Sequence, residues 1–502
     1  MQYQHLKQIV IVGGGTAGWI AAAAMSRLLG STANITLIES DAIGTVGVGE
    51  ATIPQIRRLN GVLGLDENEF VQETNGTFKL GIEFNNWGHI GESYLHTFGD
   101  AGINLASLHF HQYWLRSRAE GSTASLWDYS LHHKAAYQNK FGRLDRVGNT
   151  SMTGLAYAFH FDAGLYARYL RKHAEANGAL RIEGKVVDVT LAAETGFIQS
   201  VTLESGVQIE GDLFIDCSGF RGLLIGEALK VDYQDWSRWL PCNGAVAVGC
   251  ESTAPLLPYT KATAHEAGWQ WRIPLQHRTG NGHVFCDAFT TEEKVTETLL
   301  AHLDGKPLSV PKRLRFTTGR REKFWYKNCV SLGLASGFLE PLESTSIYLI
   351  QSNVSKLIEL FPDAAFDPAN EAEYNRQVSR EYELIRDFLI LHYHRTDRED
   401  SEFWRYCKTM TVPDSLRDKM RLFEGNGLLY KDPEDLFRES SWVQVMAGQG
   451  LMPKSFHAMA NRLSSEQLNQ FLADIEKLIQ RATDELPQHH DFIAAHCKAD
   501  LQ

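Results

Sequence analysis

The chain has 502 residues, 43% of them hydrophobic, and carries 49 Lys and Arg against 61 Asp and Glu for a formal net charge of -12. That length exceeds one compact core and calls for two, and the acidic balance opposes nucleic acid or any other polyanionic partner. Its seven cysteines are scattered with no CxxC pair, which excludes a disulfide framework or zinc site and fits reduced thiols in a cytoplasmic protein.

The opening MQYQHLKQIVIVGGG has no signal-peptide pattern, and no run approaches the roughly 20 apolar residues of a membrane helix, so a cytoplasmic enzyme without a membrane partner is expected. Gln8 to Val12 reads as a short apolar strand, Gly13 to Gly18 as a turn, Trp19 to Leu29 as a helix and Ile35 to Glu39 as a second strand, together a βαβ unit. Gly13, Gly15 and Gly18 stand at G-x-G-x-x-G spacing, with Thr16 and Ala17 between them. Such glycines let the backbone approach a pyrophosphate resting on the helix N-terminus. Glu39, followed by Ser40, comes about 20 residues on, where an acid accepts a ribose hydroxyl and disfavours the extra phosphate of NADP. FAD and NAD remain.

Farther along, VGVGEATIP (Val46 to Pro54) is a glycine-interleaved run that would lie along a flavin through Val46, Val48 and Ala51. An aromatic and histidine-rich stretch follows, about Phe70 to Trp127. Within it FKLGIEF (Phe78 to Phe84) alternates like one half-buried strand, placing Lys79 on a face with Gly81. Leu180 to Val189, which includes Val187, Phe197 to Leu203 and Asp212 to Asp216 form further strands, with turns at Gly184, Gly196 and Gly206. GWQWRIP (Gly268 to Pro274) is a strand with Trp269 and Trp271 on one face. NCVSLGLASGFLEPLESTSI (Asn328 to Ile347) is a strand, a glycine turn and a helix start, and a second such element against the flavin, through Leu334 and Ile347, favours FAD over NAD. Long helical patterns follow at Glu373 to His394 and Ser465 to Leu486. The expected fold is α/β: a discontinuous FAD-binding dinucleotide-fold domain over residues 1–350, with an aromatic-rich substrate insertion at about 55–150, and a largely helical substrate-binding region over 351–502.

Five segments, GGGTAGW (Gly13 to Trp19), GVGEATIP (Gly47 to Pro54), FKLGIEF with Lys79, GWQWRIP and PLEST with Glu343, together resemble the flavin-dependent tryptophan halogenases, from the first strand to about Trp404. The resemblance implies an enzyme that takes FAD as FADH2 from a separate flavin reductase and uses oxygen with chloride or bromide to make hypohalous acid. Lys79 would deliver the halogen to an electron-rich, indole-like ring, and Glu343 would polarise that species and help take the ring proton. Thr345 and Ser346 would hold the halide, Trp269 and Trp271 would shield the flavin site from the organic substrate, and His96 and Phe98 with Trp442 would line the substrate. The chemistry suits these residue types: a lysine held from bulk water presents an ammonium donor or a nucleophilic amine.

The sequence departs from the family twice. Ser346 replaces a glycine, which adds a side chain, narrows the backbone angles available and leaves chloride and bromide both open. The run LFRESSWVQVMAGQG (Leu436 to Gly450) lacks a recognisable clamp for an amino acid, so indole or a larger indole-bearing compound fits better than free tryptophan. An FAD-dependent aromatic monooxygenase and a flavin-binding protein without turnover are the rival readings. The histidines at 109 and 111, 132 and 133, and 489 and 490 lack metal-ligand spacing, so no metal is expected, and the chain would act as a monomer or homodimer.

Overall fold

Ile9 to Val12 are buried on both faces, as a central parallel strand requires. In the computed structural model, which describes residues 5–43, 49–105, 107–253, 255–430 and 432–500, strand Gln8–Val12 pairs in parallel with Asn34–Glu39 on one side and Leu213–Asp216 on the other. The six-stranded sheet is completed by Leu180–Glu183 beyond Asn34–Glu39, and by Cys329–Ser331 then Trp325–Tyr326 beyond Leu213–Asp216. Helix Thr16–Leu29 buries every residue from Gly18 to Ser26. Its run of alanines leaves little side chain to hold it off its neighbours, and both helix Ala163–Ala176 and helix Ser346–Glu359 pack on it. An antiparallel sheet of Val186–Leu191, Ile198–Leu203 and Gln208–Glu210 joins the same core through Val201 and Leu203, which cluster with Val10, Val12 and Phe214.

These elements form one compact unit, Met1–Gly76, Phe161–Arg238 and Phe316–Glu383; the second unit is Thr77–His160, Trp239–Arg315 and Leu384–Gln502. Helix Pro368–His394 starts in the first unit and ends in the second. The second unit is built on a seven-stranded sheet in the order Lys312–Arg315, Gly244–Cys250, Thr279–Phe285, Gly268–Pro274, Thr260–His265, Gly81–Asn85 and Ser93–Thr97. Helices Phe110–Ala119, Glu439–Gly448 and Ser465–Glu485 also lie in this unit. The mixed α/β class and the mainly helical chain after Ser346 are as expected. Among the described residues, no helix is long and apolar enough to cross a membrane.

One expected element is corrected. Phe78 to Phe84 is not one strand: Thr77–Lys79 pairs with Ala158–Asp162, whereas Gly81–Asn85 pairs with Ser93–Thr97 and Thr260–His265. Leu80 is the break, its amide donating to the Pro258 carbonyl at 2.7 Å instead of to a ladder. Lys79 and Gly81 therefore belong to different sheets, because pairing with distant partners overrides local alternation.

Candidate functional site

In the first unit the glycine turn is held by backbone. Gly13 donates to the Ile38 carbonyl at 2.8 Å and takes φ +114, and a Cβ on it would fall 2.2 Å from the Cys217 carbonyl oxygen, so only glycine fits. Gly15 differs: its φ of -72 suits any residue, it caps helix Thr16–Leu29 without a side-chain hydrogen bond, and among the described residues nothing lies within 4 Å of where its Cβ would be. An uncapped helix N-terminus facing open space is what a pyrophosphate needs. Thr16 and Ala17 open the helix half-buried, and Gly18 is buried behind them.

Glu39 lies against this turn, since a Cβ on Gly14 would meet its Oε2 at 1.6 Å. Trp19 Nε1 donates to Oε2 at 3.2 Å and Arg181 Nε to Oε1 at 2.5 Å. Each carboxylate oxygen has two lone pairs, so Glu39 keeps acceptor capacity for a hydroxyl. The sequence reasoning missed Arg181, which reaches Glu39 only because strand Leu180–Glu183 lies alongside Asn34–Glu39. It also missed the turn after Leu213–Asp216. There Asp216 accepts the Leu224 and Ile225 amides, each at 2.8 Å; the signal was the glycine-bearing DCSGFRG after an apolar strand.

The segment beginning at Asn328 converges on this helix. A Cβ on Gly333 would lie 2.8 Å from Ala17 Cβ, which sets the turn carrying half-buried Leu334 against the start of helix Thr16–Leu29. Ile347 is buried in helix Ser346–Glu359, which the same turn also contacts. Ala51 is buried and Ser40 half-buried, but Val187 is half exposed on its strand. Val46 and Val48 lie outside the described residues.

Glu343 ends a single 3-10 turn, Pro341–Glu343, with 1% of its surface exposed. Ser344 follows in the left-handed region at φ 59, and Thr345 caps helix Ser346–Glu359 without a side-chain bond. Thr345 is fully buried, and among the described residues its Oγ1 meets no hydrogen-bond partner. A buried hydroxyl with spare donor capacity at the start of a helix suits a halide. Ser346 is the first helical residue, where any L residue fits, and the left-handed backbone falls on Ser344.

Lys79 belongs to the second unit and is 0% exposed. Its Nζ stands 5.2 Å from the centroid of the Phe98 ring, within cation–π range. Its three-residue strand is fastened from afar. The Phe78 amide donates to His489 Nε2 at 3.2 Å, so the ring proton sits on Nδ1 and goes to the Leu256 carbonyl at 2.9 Å. Thr77 Oγ1 donates to the Pro274 carbonyl at 2.8 Å and faces His160 Nδ1 at 2.9 Å, while His160 Nε2 faces the Thr260 hydroxyl at 2.9 Å. Burial, then the Lys79 charge, then His489 push His160 well below its usual range, and burial takes His489 down to about 4. Burial thus disfavours the charged form of both imidazoles behind the strand.

His96 is buried, with its ring centroid 5.6 Å from Phe388 and 6.3 Å from Phe437. Trp442 is 4.8 Å from Phe388, donates to Asp435 at 3.1 Å and carries the Lys419 ammonium 3.8 Å from its ring centroid. The structure thus links His96 and Trp442 through Phe388. Trp269 and Trp271 are buried with ring centroids 6.1 Å apart, consistent with a shared face. Gly282 lies opposite Trp271 and leaves the space its indole occupies.

The tryptophan halogenase family model matches residues 8–465, well past Trp404. The chain is 34% identical to the tryptophan 6-halogenase ThaL of Streptomyces albogriseolus, over 97% of this chain and 98% of that protein. A flavin-dependent halogenase from Xanthomonas campestris superposes with a TM-score of 0.96 at 46% identity, covering 99% of this chain and all of that one (100%). BrvH, a flavin-dependent halogenase from Brevundimonas sp. BAL3, gives a TM-score of 0.94 at 43% identity, over 98% of this chain and 99% of that one.

Proposed function

The chain belongs to the tryptophan halogenase family and is a flavin-dependent halogenase, and from that premise we propose that Lys79 delivers halogen from hypohalous acid to an electron-rich, indole-like ring. The observation that carries this is the complete burial of Lys79 with its ammonium facing the Phe98 ring, since a lysine held from bulk water beside a planar ring can present its proton or its amine to an oxidant.

FAD suits the first unit: the open space over Gly15, the uncapped helix behind it and the remaining acceptor capacity of Glu39 match a pyrophosphate and a ribose. Gly13, Gly15, Thr16, Ala17, Gly18, Glu39, Ser40, Ala51, Leu334 and Ile347, with Val187 at the edge, would hold it. Bound in reduced form and replenished by a separate reductase, FAD supplies the electrons with which oxygen takes chloride or bromide to hypohalous acid. Thr345 and Ser346 would hold the halide. The Lys79 ammonium donates to the oxygen of hypohalous acid, leaving halogen as the electrophilic end. The ring carbon bonds to halogen as the halogen–oxygen bond breaks, and the Lys79 proton leaves with hydroxide as water. Glu343 takes the proton the ring then loses. Phe98 and His96 offer planar surfaces to a planar substrate, Trp442 extends that wall, and Trp269 and Trp271 keep the organic ring from the flavin.

The test supplies a flavin reductase, NADH, oxygen, chloride or bromide and a panel of indoles, and reads product masses for the wild type and Lys79→Ala. Halogenated product that vanishes in the variant while NADH consumption continues is the expected result. Halide-independent hydroxylation would overturn the proposal in favour of a monooxygenase.

A further inference from the structure

Strand Ser93–Thr97 ends just before Phe98, the residue whose ring faces the Lys79 ammonium. Beyond that end Phe98 keeps one backbone bond, from its amide to the Leu80 carbonyl at 3.0 Å. The Thr97 hydroxyl reaches the Gly99 carbonyl at 3.1 Å, and both residues are also gripped by a side chain 347 positions from Thr97 in the sequence. Gln444, in helix Glu439–Gly448, is 3% exposed. Its Oε1 accepts the Thr97 amide at 2.9 Å and lies 2.9 Å from the Thr97 hydroxyl. Its Nε2 donates to the Gly99 carbonyl at 3.2 Å, with the Thr97 carbonyl at 3.4 Å. The same amide group therefore grips the backbone on both sides of Phe98.

The grip is continuous with the aromatic wall. Trp442, two residues earlier on the same helix, packs on Phe388, and Phe388 packs on His96, two residues before Phe98. Just past the helix, Gln449 repeats the device: its Oε1 accepts from the Tyr94 hydroxyl at 2.9 Å, and its Nε2 donates to the His392 carbonyl at 2.8 Å. A buried, fully satisfied amide has one low-energy arrangement and rigidifies what it holds. Neighbouring ring carbons differ in position by less than an unfastened loop would wander, and transfer chemistry falls steeply with small misplacements.

We propose that Gln444 is a positioning residue for halogen transfer: it fixes the Phe98 ring relative to Lys79 and so selects which carbon of the substrate meets the halogen. This rests on the delivery role of Lys79. The experiment compares wild type with Gln444→Met, Gln444→Glu and Thr97→Val on an indole substrate that yields more than one halogenated isomer. A soluble trap measures hypohalous acid output in parallel, and thermal melts report folding. Gln444→Met should shift the isomer ratio by about threefold or more and lower product per NADH consumed, with hypohalous acid output unchanged. Gln444→Glu keeps the acceptor for Thr97 and should fall between; Thr97→Val removes the hydroxyl's contacts with Gln444 and the Gly99 carbonyl but keeps both Gln444 bonds to the backbone, and should give a smaller shift in the same direction. If Gln444→Met does not fold, the other two variants carry the test. An unchanged isomer ratio, with yield falling only as the folded fraction falls, overturns this role and leaves Lys79 standing. Product that is independent of Lys79 in the wild type removes both.

Discussion

The glycine turn and the lysine strand are held by opposite means. Around Gly13 the backbone does the holding: parallel pairing of Val12 with Ile38, an amide on the Ile38 carbonyl, and space that only glycines leave open. Around Lys79 the strand is three residues long, and beyond its pairing with Ala158–Asp162 it is side chains that hold it. Thr77 meets His160 and Pro274 across 83 and 197 positions, and Phe78 meets His489 across 411. A site held by backbone tolerates changed side chains but not added atoms; one held by distant side chains fails when any of them is lost. Drift in such a chain should therefore cost the proposed halogen delivery before cofactor retention.

The largest expected effect breaks the comparison cleanly. Lys79→Met, which keeps the bulk and removes the charge, should lower halogenated product by on the order of a hundredfold or more while FAD binding, read by fluorescence quenching, is unchanged. The converse variant is Gly15→Val, where the backbone angle permits a side chain and nothing nearby obstructs it. It should melt like the wild type yet bind FAD about tenfold more weakly, or about 1.4 kcal/mol; normal affinity would remove the pyrophosphate from that turn. Next, His489→Ala leaves the buried Phe78 amide without its acceptor and should cost about 1–3 kcal/mol in denaturant unfolding, with product yield falling more than FAD affinity.

The smallest effect is on pH. Burial holds His132 and His489 at about 4 and His283 at about 3, all in the second unit. Below an unfolded value near 6.5 the unfolded chain takes up protons that these folded imidazoles refuse, so this contribution to stability is complete above about 6.5 and drains away toward about 4. Glu50, in the first unit, has the opposite sign: burial and then the Asp162 carboxylate raise it to about 7, so its contribution weakens as pH rises from about 4.5 to 7. Hydrogen exchange at pH 5 against pH 7 should show the second unit losing protection in acid by a few-fold; equal loss in both units would contradict this assignment.

Legibility in the sequence follows the same division. Strand Gln8–Val12, strand Gly268–Pro274 and the start of helix Ser346–Glu359 lie where local pattern puts them, because glycine spacing and alternation are local signals. The break at Leu80 was hidden, since the residues on either side alternate without interruption and only their pairing partners differ. Arg181 on Glu39 and Gln444 on Thr97 were hidden for the same reason: each depends on a register or a helix placement set elsewhere in the fold. Lys79 itself was legible through its motif, but its supports were not: nothing local to His489 signals that its Nε2 takes the Phe78 amide.

That last hydrogen bond has a consequence for how the protein is made. A ribosome releases the chain from its N-terminus, so the glycine turn and its flanking strands can pair early, while the strand bearing Lys79 must wait for Pro274 and finally for His489. Contacts of such sequence separation are slow to close, and until they do the nascent polypeptide displays an aromatic, half-built sheet to solvent or to a chaperone. Expression yield should accordingly respond more to synthesis rate and temperature than the finished protein's stability would suggest.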